Sequence, residues 1–171
     1  MPADVVIDVG AQHHPPEEST ETLIARYEPK LVLAFDAHHK FKDGIESREF
    51  CTIVRRHAAV WIHSKGVSFW EHGMDGGVRK DGRANNQVDS VNIISLVSAL
   101  PPGEIILKLD CEGAEYVLLD ALHRLSLDER LALCIVEWHP PITANGWYLS
   151  PEARPELRCP VIDWQNDFQL Q

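Results

Sequence analysis

The chain alternates between short apolar runs and polar stretches with helical spacing. Two β-branched runs, DVVIDVG (4–10) and KLVLAFDAH (30–38), predict strands. Between them, ESTETLIARY has the pattern of an amphipathic helix with Ser19 or Thr20 near its N-cap. Later, EIILKLD and LALCIVEWH predict strands on either side of a helix at GAEYVLLDALHRL. Strands separated by helices predict an α/β fold with a mostly parallel sheet and helices on both faces.

The middle and the end of the chain are less regular. KFKDGIES predicts a short helix or turn, and residues 51–73 predict a third strand followed by a hairpin that turns at SKG. Residues 74–86 are glycine-rich and polar, which predicts a loop that is either a substrate lid or an insertion. VDSVNIISLVSAL predicts a short strand and a helix that ends at PPG. CPVIDW predicts a last edge strand, and an exposed edge favours pairing across a homodimer.

Composition narrows the functional classes. A chain of 171 residues with 44% hydrophobic and 25% charged residues suits a single globular domain over 1–171. The net charge of -10 argues against binding to nucleic acid or to an anionic membrane. The sequence has no apolar run of about 18 residues, and its acidic start differs from the basic start of a secretory signal. These features predict a cytoplasmic protein without a membrane partner.

Acidic residues recur where the predicted strands end. In an open parallel sheet, ligands bind outside the carboxyl ends of the strands, near the point where the strand order switches. Carboxylates follow four of the five predicted main strands, so we expect a ligand site at this edge. These residues are Asp8, Asp36, Asp110 with Glu112, and Glu137.

The first strand end constrains the ligand. A dinucleotide site needs G-x-G-x-x-G, whereas this chain has only Gly10 followed by AQHHPP. A nucleoside without a pyrophosphate needs a single close backbone approach and a carboxylate for its ribose. Asp36 is placed for the ribose role at the end of the second strand, and the alternative is a helix N-cap.

Five segments together resemble the FkbM-type methyltransferases, a class I S-adenosylmethionine-dependent family. They are VIDVGA, LVLAFDAH, VDSVNIISLV, ILKLDCEGAEYVLLDAL and CIVEWH, within residues 4–139, and KLDCEGAEYVLL is the most specific. The resemblance implies a Rossmann-like fold, S-adenosylmethionine as cofactor, and methyl transfer to a hydroxyl of a small molecule or sugar.

The resemblance also implies roles for single residues. The methionine end of the cofactor would lie against Asp8, Gly10 and Ala11, and its ribose would bind Asp36. Its adenine would border His57 and Ala58, and the reacting centre would lie beside Asp110 and Glu112. The chain departs from the family in its QHHPP segment and in final strands of the usual seven-stranded sheet that are shortened or missing.

Catalytic roles are predicted for Asp110 and His139. Methyl transfer to an alcohol must release a proton, so His139 is a candidate general base, and the alternative is a loop histidine held by the prolines that follow. Glu115 is expected to be structural, and the role of Glu112 stays open. The four cysteines show no CxxC pair, and no metal site is assigned.

Two other functions remain open from the sequence. The first is a methyltransferase-like binding module without turnover, which the changed first loop would explain. The second is a metal-dependent enzyme that uses the histidine pairs His13–His14 and His38–His39. Together with Asp110, Glu137 and His139, these pairs could form a divalent-metal site of imidazole and carboxylate ligands.

Overall fold

The structure is a computed structural model that describes residues 2–11, 19–72, 75–78, 84–139 and 154–164. His13, His14 and the rest of the QHHPP segment lie outside the described residues. The elements in chain order are β1 (Val5–Val9), α1 (Ser19–Tyr27), β2 (Leu31–Asp36), β3 (Gly44–Ser47), β4 (Thr52–His57), β5 (Ala59–Trp61), β6 (Val67–His72), β7 (Asp75–Val78), β8 (Asn86–Val88), β9 (Ser90–Asn92), α2 (Ile93–Ala99), β10 (Ile105–Leu109), α3 (Glu115–Arg124), a 3₁₀ turn (Leu127–Arg130), β11 (Leu131–Val136) and β12 (Val161–Asp163).

The central sheet confirms the prediction of a mostly parallel α/β architecture. Its seven strands have the order β12-β11-β10-β1-β2-β4-β3. Every neighbouring pair is parallel except β3 and β4, which are antiparallel. The chain builds outward from β1 in both directions, so the strand order switches between β1 and β10. Ligands of open α/β sheets bind at such a switch.

Helices cover both faces of the sheet because successive strand residues point to opposite sides. All five residues of β1 are buried. Ile7 belongs to the core cluster that contains residues of α2 and α3, whereas Val6 belongs to the cluster that contains residues of α1. A strand that is buried on both faces reads as a continuous apolar run, which explains the VVIDV pattern.

Two predictions for the middle of the chain are wrong. KFKDGIES was predicted as a helix or turn, but it contains β3, which pairs with the outer edge of β4. The backbone N–H and C=O groups at the outer edge of β4 need hydrogen-bond partners, and this requirement outweighs the helix or turn preference of KFKDGIES. The result leaves Ile45 76% exposed.

The predicted hairpin at SKG is also absent from the described residues, because β5 and β6 join different sheets. β5 pairs in parallel with β9, whereas β6 pairs with both β7 and β8. The predicted loop 74–86 therefore includes β7 and the first residue of β8. These pairings join residues distant in sequence, such as Val67 with Val88, and local periodicity cannot reveal them.

The end of the chain agrees with the sequence. CPVIDW contains β12, a three-residue edge strand parallel to β11, so the last strand is short. The sheet still reaches seven strands because β3 adds one at the other edge. All four cysteines are free thiols. Within the described ranges, each helix is too short or too polar to cross a membrane.

Candidate functional site

A pocket opens at the carboxyl ends of β1, β2 and β10, where the strand order switches. Its empty volume is about 570 Å³, including space open to solvent at its mouth. The pocket is lined by Val9, Gly10, Phe35, Asp36, Ala37, His38, Ala58, Ala59, Val60, Phe69, Gly76, Gly77, Val78, Asp110, Cys111, Glu112 and Ala114.

Gly10 brings two strand ends into direct contact. Its φ of +75° is a conformation that other residues rarely adopt, and a Cβ there would lie 1.7 Å from the carbonyl oxygen of Asp110. The Asp110 N–H in turn donates to the Val9 carbonyl at 3.0 Å. Glycine is therefore needed to pack the β1 end against the β10 end, and this contact forms one wall of the pocket.

Asp36 ends β2 and lies at the pocket wall. Burial raises its pKa above the ordinary value, while a hydrogen bond from the His38 N–H at 2.7 Å and the charge of Lys108 oppose the rise. The His38 bond uses one carboxylate oxygen, Oδ1. The hydrogen bond from His38 therefore fixes the Asp36 carboxylate through Oδ1, as a ligand-binding carboxylate requires.

A buried lysine connects β1 to β10 behind the pocket. Lys108 is fully buried, and its Nζ donates to the Gly10 carbonyl at 2.9 Å and lies 3.3 Å from Asp110 and 3.4 Å from Asp8. Burial disfavours its charge, but the carboxylates of Asp8 and Asp110 outweigh this and raise its pKa. Lys108 thus orients the Gly10 carbonyl and the Asp110 carboxylate together.

Asp8, the other carboxylate beside Lys108, lies outside the pocket lining. Its carboxylate is fully buried and accepts hydrogen bonds from the hydroxyls of Ser19 and Thr20 at 2.8 and 2.7 Å. These two residues open α1, so the carboxylate anchors the start of the helix to β1. Asp8 serves here as a structural acceptor rather than as a lining residue.

His139 lies among four carboxylates beside the pocket. Its Nδ1 is 2.9 Å from Glu115 Oε1, and its Nε2 is 3.7 Å from oxygens of both Asp110 and Glu112 and 3.9 Å from Glu137. Burial opposes a charge on the ring, but the hydrogen bond to Glu115 and the surrounding negative charges raise its pKa to about 9. We call these five residues the His139 cluster.

Glu115 supports this cluster from inside the fold. It is fully buried at the first position of α3, and its Oε1 also accepts the Cys111 N–H at 2.8 Å. Its Oε2 is buried and has no hydrogen-bond partner among the described residues. The expectation that Glu115 is structural therefore captures only part of its role, because it also fixes the His139 ring.

Glu71, His38 and His39 form a second histidine–carboxylate group, which joins the β6–β7 hairpin to the residues that follow β2. Glu71 on β6 accepts the His39 N–H at 3.2 Å, bonds the His39 ring, and lies 3.7 Å from the His38 ring. On the same hairpin of β6 and β7, a Cβ on Gly76 would lie 2.6 Å from the ring of Phe69. The hairpin thus packs tightly on itself, and Phe69, Gly76 and Val78 line the pocket.

The structure gathers most of the predicted site residues at one pocket. Gly10, Asp36, Ala58, Asp110 and Glu112 line it, and His139 lies beside the last two.

Three of the predicted cofactor-binding residues lie outside the lining, namely Asp8, Ala11 and His57. Ala11 is buried in the core on the α1 side. His57 bonds the Asp43 carboxylate and the Ala37 carbonyl through its N–H and its ring.

Sequence reasoning missed the roles of Lys108 and Glu71 and the pairing of β6 with β7. One signal was available for Lys108, because a lysine in the middle of the apolar strand IILKL must pair with buried carboxylates. No local signal identifies Glu71, whose contacts with His38 and His39 depend on a loop and a distant hairpin.

Comparison of the chain with protein-family models, with curated protein sequences and with solved structures finds no match.

Proposed function

We propose that this chain is an S-adenosylmethionine-dependent methyltransferase with a Rossmann-like arrangement of its parallel strands. The observation that carries the proposal is the position of Asp36. It stands at the β2 end of a pocket at the topological switch point, with the single Gly10 turn and the Asp110–Glu112 segment across from it. This is the arrangement that the resemblance to FkbM-type enzymes implies.

The residues of the pocket fit the parts of this cofactor. Asp36 has an oxygen besides the one bound to His38, and it would accept the ribose hydroxyls. Ala58, Val60 and Phe69 offer an apolar slot for adenine, and the Gly10 turn with Asp110 would hold the amino-acid end. A dinucleotide fits less well because the glycine-rich phosphate loop is missing from the sequence.

The chemistry then requires little from the protein beyond position and proton removal. When bound, the cofactor supplies an electrophilic methyl group on its sulfonium. The pocket walls orient the reactants and exclude water. Asp110 lines the pocket and its carboxylate would receive the proton of an acceptor hydroxyl. His139 lies beside it, and its raised pKa of about 9 keeps the ring protonated near neutral pH, so it would position the hydroxyl rather than act as the predicted general base. A neutral or cationic small molecule, such as a sugar, suits this acidic side better than an anionic acceptor.

The direct test is a calorimetric titration with S-adenosylmethionine and S-adenosylhomocysteine. We expect micromolar binding of both by the wild type and weaker binding by at least about 100-fold in Asp36→Ala, because two hydrogen bonds to a charged group are lost. Asp120→Ala is the matched control, since Asp120 lies on the exposed side of α3 and pairs with Arg124.

The outcomes separate the functions. No heat with either ligand in folded wild-type protein would refute the proposal. Binding that is unchanged in Asp36→Ala would show that the ligand binds outside this pocket. Binding without methyl transfer to any hydroxyl acceptor would instead support a binding module.

A further inference from the structure

The His139 cluster has the composition and spacing of a divalent-cation site. Asp110, Glu112 and His139 each offer one donor atom, and these three atoms lie within 4.8 Å of one another. His139 Nε2 is 3.7 Å from oxygens of both acids. Two atoms that are each about 2.1 Å from one ion lie roughly 3–4 Å apart, so the observed spacing suits ligands around a cation. It is too long for hydrogen bonds.

The support of the ring is also that of a metal ligand. In metal sites, the ligating histidine usually bonds a carboxylate or carbonyl through its other nitrogen, which fixes the ring orientation. Here the Nδ1 of His139 is bound to the buried Glu115, so Nε2 is aimed at Asp110 and Glu112. The orienting group thus comes from α3, and the ligands come from the ends of β10 and β11.

An independent observation comes from Glu115 itself. This carboxylate is fully buried against the cluster, and its Oε2 lacks a hydrogen-bond partner among the described residues. A buried carboxylate with an unsatisfied oxygen is costly unless positive charge lies nearby. Asp110, Glu112 and Glu137 add three further carboxylates around the same ring. A divalent cation at Nε2 would displace the ring proton of His139 and lower the electrostatic cost of all four.

From these contacts we infer that Asp110, Glu112 and His139 bind a divalent cation, with Glu115 as the group that positions the ring. Two carboxylates and one imidazole suit Mn²⁺ and related first-row ions. The role of the cation rests on the proposed function: it would bind the acceptor hydroxyl and lower its pKa. The three side chains then act as ligands, so with the cation bound the hydroxyl proton passes to bulk water instead of to Asp110.

The test is a titration of the protein with Mn²⁺ as the only added ligand. The concentration of unbound Mn²⁺ is measured by electron paramagnetic resonance. We expect one ion per chain with a Kd below about 1 mM. Glu112→Gln should weaken binding at least about 10-fold. His139→Gln should remove the nitrogen coupling from the spin-echo spectrum of bound Mn²⁺. Glu112 is 37% exposed in its side chain, so Glu112→Gln should fold, and its thermal transition checks this.

Two controls assign the site. Glu129→Gln makes the same chemical change at an exposed residue that pairs with Arg158, and it should leave Mn²⁺ binding unchanged. Glu71→Gln alters the other cluster with metal-ligand spacing, formed with His38 and His39, and it should also leave binding unchanged.

Three results would overturn the inference. They are no Mn²⁺ binding up to about 1 mM, binding that Glu112→Gln and His139→Gln do not change, and binding that only Glu71→Gln removes. Cofactor titration of the same protein separates the two proposals. Mn²⁺ binding without cofactor binding would support the cation site and refute the methyltransferase. Cofactor binding without Mn²⁺ binding would do the reverse.

Discussion

Replacing Asp36 by asparagine should separate ligand binding from stability. The substitution keeps the shape of the side chain and an oxygen that can accept the His38 N–H, which donates to Oδ1 at 2.7 Å. It removes the negative charge and replaces the other oxygen by an amide, which donates. A ribose hydroxyl that donates to Oδ2 of the wild type would therefore lose its charged acceptor.

The expected loss of affinity follows from that one bond. A hydrogen bond to a charged group contributes roughly 1.5–3 kcal/mol, which corresponds to about a 10- to 150-fold increase in the Kd of S-adenosylhomocysteine. In contrast to its effect on affinity, Asp36→Asn should raise the free energy of unfolding at pH 7. Burial raises the pKa of Asp36 in the folded chain, so ionisation of this group opposes folding.

The sign of the pH dependence is fixed by that raised pKa. Below the unfolded pKa of an aspartate, both states of the wild type are protonated, and Asp36→Asn should have no electrostatic advantage. As the pH rises through the folded pKa, the wild type loses stability at this site and the variant does not. Urea denaturation at pH 4 to 8 should show the variant gaining relative to the wild type. A variant that is less stable at pH 7, or that binds the cofactor unchanged, would refute the reasoning.

Two further substitutions test the framework of the pocket. Lys108→Met should destabilise the fold by about 3–5 kcal/mol, because it leaves the buried carboxylate of Asp8 without its cation. Lys30→Met breaks an exposed pair with Asp4 and should leave the free energy of unfolding nearly unchanged. Equal effects in urea denaturation would contradict this. Gly10→Ala should lose at least about 1–2 kcal/mol to its positive φ alone and weaken cofactor binding, whereas Gly44→Ala, with open space around it, should be neutral. A Gly10→Ala variant with wild-type stability and affinity would show that the strand ends need no such contact.

The sequence was informative where local pattern and burial agree. The main strands and the three α-helices of the described residues follow from apolar periodicity, because each helix packs one apolar stripe and each strand two apolar faces. Asp36 and Asp110 could be placed at one edge because parallel strands end on the same side of a sheet. That rule identified the edge of the pocket but not its full lining.

The remaining features depend on pairings between distant segments. β3 forms because β4 has an open edge, and β7 pairs with β6 within a stretch whose glycines predicted a loop. Asp8 shows a related limit: its position at a strand end suggested a ligand role, yet the hydroxyls that open α1 occupy its carboxylate. A side chain's partner, more than its position, decides which strand-end acid lines the pocket.

The central claim is that the pocket at the β1, β2 and β10 ends binds the cofactor. A crystal structure of the protein with S-adenosylhomocysteine tests it most directly. We expect ligand density in this pocket, with the ribose hydroxyls on Asp36 and the adenine against Ala58 and Phe69. Density for the ligand at another place on the chain, or an empty pocket at saturating ligand, would contradict it.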